Sequence, residues 1–222
     1  MYSKLQYISQ GFTAKEQLEN IQSTLDAGCE WIQLRFKNAD EIEFSSVAQQ
    51  VKNICKKYNA TFIINDNVEL AKNIDADGVH LGLQDTSVLQ ARAILSDNKI
   101  IGGTANTLSD VLTRIDERCD YIGLGPFRFT STKTNLSPVL GLDGYKNIMT
   151  EVLKNKAHIP IYAIGGISID DVAPILNTGV YGIAVSGTIT NHSNKKELLQ
   201  TFNSLLYSGV IPIPPFAEEG SC

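Results

Sequence analysis

Five consecutive residues, Gln33-Leu34-Arg35-Phe36-Lys37, alternate polar and apolar types as the end of a β-strand does. Side chains at i, i+2 and i+4 of a strand share one face. Gln33, Arg35 and Lys37 are therefore expected side by side, a set of donors suited to an anion, with Leu34 and Phe36 behind them. An edge strand with a solvated basic face shows the same alternation, so this segment alone leaves both readings open. Asn65-Asp66 closes another apolar run, and Val79-His80-Leu81-Gly82 leads within three residues to Asp85. If Asp66 and Asp85 meet, two carboxylates with phosphate oxygens and water suit Mg2+; each could equally cap a helix that follows it. Gly123-Leu124-Gly125-Pro126 opens into Thr130-Ser131-Thr132-Lys133, whose hydroxyls, amides and mobile charge could wrap a phosphate monoester or form only a solvated loop. Gly165-Gly166-Ile167 and Val185-Ser186-Gly187-Thr188 would let backbone N–H groups approach a phosphate. His80, between Val79 and Leu81, suits substrate contact or a structural role better than proton transfer.

These groups need elements that bring them to one place. Eight apolar runs suited to buried parallel strands are expected at Leu5 to Ser9, Trp31 to Phe36, Thr61 to Asp66, Gly78 to Gly82, Ile100 to Ala105, Tyr121 to Gly125, Ile161 to Gly165 and Gly182 to Ser186. Amphipathic stretches such as Ala14 to Ala27, Glu41 to Tyr58 and Ser109 to Glu117 separate them, each long enough for the crossover between parallel strands. Eight strand-then-helix units in about 210 residues point to the α/β class and a single (β/α)8 TIM barrel, in which catalytic groups come from the C-terminal strand ends. The chemistry noted above falls at those ends. Residues 1–207 are read as the barrel domain, and residues 208–222, with Pro212, Pro214 and Pro215, as a tail without assigned function. The connection from Pro126 to about Leu142 is of a length that usually marks either an active-site lid or a disordered loop.

Composition narrows the function further. Hydrophobic residues make up 43% and charged residues 19% of 222, which excludes a disordered or fibrous chain. A net charge of −5 argues against a general nucleic-acid surface, so a polyanionic ligand must meet a local basic cluster. No apolar run approaches the ~20 residues that span a bilayer, and the start lacks a secretory pattern. Cys29, Cys55, Cys119 and Cys222 are scattered without metal-ligand spacing and are expected as reduced thiols in a cytoplasmic protein. No Gly-x-Gly-x-x-Gly follows the first strand, no Walker loop occurs, and His80, His158 and His192 complete no triad.

Taken in order, these motifs, with Ala76-Asp77-Gly78 before Val79 and Asp120-Tyr121-Ile122 before Gly123, resemble the thiamine-phosphate synthase family from about Leu5 to Leu206. The resemblance implies a transferase joining 4-amino-2-methyl-5-hydroxymethylpyrimidine diphosphate to a thiazole phosphate, with release of diphosphate. It implies Mg2+ on Asp66 and Asp85. It assigns Arg35, Lys37, Asn65, Thr104 and Lys133 to the diphosphate, with Arg35, Lys37 and Lys133 as the catalytic charges. Gln33 would orient the aminopyrimidine, and the segment's Leu34 and Phe36, with His80, are also expected against substrate. Thr130, Ser131, Thr132, Gly166, Ser186 and Gly187 would hold the thiazole phosphate. The expected partners are small molecules, with no nucleic acid and no membrane; self-association is common in such barrels but no surface is assigned. The chain departs from the family pattern at Thr104-Ala105-Asn106, where Ser-x-His is frequent, at Leu83-Gln84 before Asp85, and at Ser186-Gly187-Thr188. A thiazole tautomerase on the same barrel, or a noncatalytic sensor of thiazole phosphate, are the alternatives; the first should use a histidine base and both should lack the diphosphate residues.

Overall fold

In a computed structural model, which describes residues 2–129, 138–155 and 158–207, eight parallel strands close into a barrel in sequence order. They are β1 Leu5–Ile8, β2 Trp31–Leu34, β3 Thr61–Asn65, β4 Gly78–Leu81, β5 Ile100–Ala105, β6 Tyr121–Leu124, β7 Ile161–Ile164 and β8 Gly182–Val185. All eight expected strands are present, and seven stop one or two residues earlier than the apolar pattern suggested. Of the residues left beyond these strand ends, Asp66, Gly82, Gly125, Gly165 and Ser186 line the cavity above the barrel.

The connecting helices are α1 Ala14–Asp26, α2 Glu41–Tyr58, α3 Val68–Asn73, α4 Val88–Leu95, α5 Leu108–Asp116, α6 Gly141–Lys154, α7 Val172–Leu176, α8 Gly187–Thr190 and α9 Lys195–Tyr207. The starts of α1, α2, α4 and α5 are written in the sequence. Thr13, Ser87 and Thr107 form capping boxes with Glu16, Gln90 and Asp110, and Asp40 caps α2, so orphan N–H groups at these ends are satisfied. The principal core fills the layer between barrel and helices, with Ile32, Leu34, Val51, Val79 and Phe202 fully buried. A second cluster, Ile8, Trp31, Ile63, Tyr121, Tyr162 and Ala184, plugs the barrel interior. Trp31 and Tyr162 meet edge-on at 5.2 Å between centroids. This aromatic floor closes the barrel below and leaves the C-terminal strand ends as the place for a ligand. The tail and the four loop residues Thr130, Ser131, Thr132 and Lys133 lie outside the described residues.

Candidate active site

A cavity of about 840 Å³ opens at the C-terminal ends of the strands, and its two sides differ in chemistry. On the first side, β2 ends at Leu34, so Arg35 and Lys37 stand on the following loop rather than on the strand. The alternation nevertheless continues. The Arg35 N–H donates to Ser9 Oγ at 2.9 Å, and Gln17 Nε2 donates to the Arg35 carbonyl at 3.2 Å, which fixes the loop against β1 and α1. Gln33, Arg35 and Lys37 line the cavity. Leu34 and Phe36, expected against substrate, are buried in the core between barrel and helices instead. The periodicity that turns three polar groups to the ligand side turns these two the other way, and their role is packing.

The two aspartates converge, and neither caps a helix. Asn67 caps α3 and Ser87 caps α4. Asp66 occupies the left-handed region at φ 66°, a conformation Asp tolerates better than most side chains, and its N–H donates to the His80 carbonyl at 2.8 Å. Its carboxylate pairs with Lys37 Nζ. Asp85 accepts the Gly82 N–H at 2.6 Å. A Cβ at Gly82 would lie 2.6 Å from Asp85 Oδ2, so glycine is required for the carboxylate to fold back over the end of β4. Burial, then the hydrogen bond and charge of Asp66, push the Asp85 carboxyl pKa up, which is the signature of two acids crowded together. Burial also lowers the Arg35 pKa, opposed by the Asp66 charge.

Two carboxylates are a fitting but incomplete donor set for a hard cation, while the Lys37 ammonium beside them can only neutralise charge. Among the described residues no cluster of three or more His, Cys, Asp or Glu occurs, so a bound Mg2+ would complete its shell with substrate oxygens and water.

Thr104, at the end of β5, faces the same cavity, and its Oγ1 lies 3.0 Å from His80 Nε2. His80 is 6% exposed and has its other ring nitrogen 3.0 Å from Tyr121 Oη. Asn65 Oδ1 accepts from Gln33 Nε2 at 2.8 Å. This bond leaves Gln33 Oε1 buried at the cavity without a hydrogen-bond partner among the described residues, an acceptor aimed at a ligand donor. Asn106 donates its side-chain N–H to the Gly125 carbonyl. The departure from histidine at 106 thus gives a residue that ties β5 to the turn after β6.

The second side is neutral. Gly165 and Gly166 leave β7 with φ of 96° and 68°, which bends the chain so that backbone rather than side chain meets the cavity. Arg128 Nη1 donates to the Gly166 carbonyl at 2.8 Å and both guanidinium nitrogens reach Asp171 at 2.9 Å. Neither Arg128 nor Asp171 lines the cavity. Ser186 and Gly187 follow β8, and Ser186 Oγ is buried without a partner among the described residues. Gln10 and Asn191 complete this wall, and the Gln10 Oε1 is likewise unpartnered there. The sequence reading passed over both; Gln10 could have been found, since it lies two residues beyond β1 as Asp66 and Gly166 lie just beyond their own strands. Phe129 and Val139, which flank the undescribed loop segment, also border the cavity.

A closed parallel barrel whose strand ends gather an acidic pair, basic side chains and a glycine-lined neutral wall defines a (β/α)8 enzyme for phosphorylated ligands. Residues 6–189 match the family model described as thiamine monophosphate synthase. The chain is 56% identical over 211 residues to thiamine-phosphate synthase of Flavobacterium johnsoniae, covering 95% of this chain and 100% of that one. It is 57% identical over 206 residues to thiamine-phosphate synthase of Flavobacterium psychrophilum, covering 93% and 100%. Thiamine phosphate pyrophosphorylase from Pyrococcus furiosus has a similar structure, with a TM-score of 0.80, 31% identity and 91% and 95% of the two chains covered. The chain belongs to the thiamine monophosphate synthase family and is an enzyme of the transferase class.

Proposed function

We propose that this chain couples 4-amino-2-methyl-5-hydroxymethylpyrimidine diphosphate to 4-methyl-5-(2-phosphoethyl)thiazole, or its carboxylated form, with the two sides of the cavity dividing the work. The observation that carries the reading is the meeting of Asp66, Asp85 and Lys37 across from a wall of Gly166, Ser186 and Gly187. Arg35, Lys37, Asn65 and Thr104, with Lys133, hold the diphosphate. Gln33 Oε1 accepts a hydrogen bond from the pyrimidine amino group, and the neutral wall, with Thr130, Ser131 and Thr132, holds the thiazole phosphate.

The reaction breaks the bond between the pyrimidine methylene and the diphosphate oxygen, the electron pair leaving with diphosphate. The thiazole nitrogen lone pair then forms the new C–N bond. No protein nucleophile or base is needed. The residues neutralise the leaving group, fix the two rings in line and keep water from the cationic methylene. Mg2+ held by Asp66 and Asp85 would supply further charge neutralisation on the diphosphate. His80 is bonded at both ring nitrogens, and position 106 carries an amide, so a histidine base for the tautomerase alternative has no support.

Cys29, Cys55 and Cys119 are buried free thiols, with burial raising their pKa to about 11, about 12 and about 12. Together with the small-molecule chemistry this supports a reducing, cytoplasmic setting. Among the described residues no helix is long and apolar enough to cross a membrane.

The test is diphosphate release and thiamine phosphate formation, followed by mass, with both substrates and Mg2+, for the natural chain and Asp66→Ala. Product that requires both substrates, metal and Asp66 supports the assignment. Undiminished turnover by Asp66→Ala would remove the metal role given to that residue.

A further inference from the structure

A file of polar groups runs from the apolar floor of the barrel to the cavity. Gln6 on β1 donates from Nε2 to Tyr121 Oη at 3.1 Å, Tyr121 Oη stands 3.0 Å from His80 Nδ1, and His80 Nε2 stands 3.0 Å from Thr104 Oγ1. Gln6 and Tyr121 are buried at 1% and 0% exposure, and neither lines the cavity. The barrel makes room for this file with glycines. A Cβ at Gly102 would lie 2.2 Å from the Tyr121 ring, and one at Gly123 would lie 3.2 Å from His80 Cε1.

The direction of each bond follows from counting protons. A phenol has one, and the Tyr121 oxygen already receives an N–H from Gln6. The hydroxyl sits among Ile8, Trp31, Ile63 and Tyr162, where a buried donor must still find an acceptor. His80 Nδ1 is that acceptor. A neutral imidazole that accepts at Nδ1 carries its proton on Nε2 and donates there. Thr104 Oγ1 therefore accepts a hydrogen bond from His80 Nε2–H, and its own proton is left to point into the cavity.

We infer that Gln6, Tyr121 and His80 form a one-way relay that holds the Thr104 hydroxyl as a hydrogen-bond donor toward an anionic ligand. This rests on the placement of Thr104 against the diphosphate in the proposed function. Tyr121 and His80 act as positioning residues. The relay sets proton polarity in the ground state and transfers no proton during the reaction. It also accounts for a histidine at the cavity of a reaction that needs no base.

The experiment has two arms. In the first, a long-range 15N–1H correlation spectrum of the natural chain, at about pH 8 where a histidine is ordinarily neutral, should show His80 protonated on Nε2 and bare on Nδ1. An Nδ1-protonated ring would overturn the relay without touching the assigned activity. In the second, binding of inorganic diphosphate with Mg2+ is measured by calorimetry for the natural chain, Thr104→Val, Tyr121→Phe and the double variant. Each single change should weaken binding by about tenfold, the size of one hydrogen bond to a charged acceptor. The double variant should bind no worse than Thr104→Val alone, since Tyr121 acts only through Thr104. Multiplicative losses in the double variant would overturn the relay. A Thr104→Val protein that binds diphosphate as tightly as the natural chain would overturn both the relay and the placement of Thr104, while coupling of the two substrates would still test the activity itself.

Discussion

The wall built from β2 to β5 and the wall built from β7 and β8 face one cavity with opposite strategies. The first gathers full charges, Arg35, Lys37, Asp66 and Asp85; burial lowers the Arg35 pKa, and burial with the neighbouring Asp66 raises that of Asp85. The second presents glycine backbone and the Ser186 hydroxyl, and its nearby ion pair, Arg128 with Asp171, does not line the cavity. A charged wall can change its interaction as charge develops on a leaving group, whereas a neutral wall of N–H groups holds a phosphate equally before and after reaction. In the proposed function this difference would separate catalysis from positioning.

Replacing a charge on the first wall should have the largest effect. Asp85→Asn is expected to lower the coupling rate by about a thousandfold, within the range of transition-state charge stabilisation, while relieving the crowding with Asp66 and leaving the thermal midpoint unchanged or higher. Rate and melting measured on the same preparation check this, and a loss of both together would mark Asp85 as structural.

Gly82→Ala probes the same wall without altering charge. The new Cβ must displace the Asp85 carboxylate, 2.6 Å away. A loss of about thirtyfold in turnover, larger at low Mg2+, is expected because a misplacement of about an ångström costs catalysis heavily. A metal-independent defect would separate Gly82 from the acidic pair.

On the neutral wall, Gly166→Ala should act on binding. The residue has φ 68°, and a Cβ would come within 3.0 Å of Arg128 Cβ. The KM for thiazole phosphate should rise by about tenfold with kcat nearly intact, and stability should fall by about 1–2 kcal/mol, the cost of a left-handed conformation for an L-residue. A kcat defect without a KM change would break the division between the walls.

The smallest effect concerns the support beneath that wall. Burial pushes the Asp171 carboxyl upward, but hydrogen bonds from Arg128 and Ser168 outweigh it and hold the pKa at about 2, below the ordinary 3.8. Because the folded value is the lower one, the group's contribution is full above the unfolded pKa and fades as pH falls through about 2. The gap in unfolding midpoint between the natural chain and Asp171→Asn should be constant near neutrality and close below pH about 4. A gap that widens in acid would reverse the assignment.

The barrel was legible because each strand is a short apolar run and helices α1 to α5 each carry a capping side chain, as Thr13 with Glu16 and Ser87 with Gln90 show. The site was legible in part because barrel geometry sends polar residues at strand ends into one cavity, which located Gln33, Arg35, Lys37, Asn65, Asp66, Thr104, Gly166 and Ser186 there. Leu34 and Phe36 were misplaced because a motif does not say which of its faces meets ligand; that depends on where the helices pack.

What the sequence determined by itself is therefore local: period, caps, and the kind of chemistry each strand end carries. Tertiary structure alone decided the pairings between distant residues. Lys37 with Asp66, Asp66 beside Asp85, and Gln6 through Tyr121 and His80 to Thr104 join positions from separate β/α units. The reason is physical. Hydrogen bonds and carboxylate pKa values depend on distances of a few ångströms, and those distances exist only after eight strands have closed into a ring.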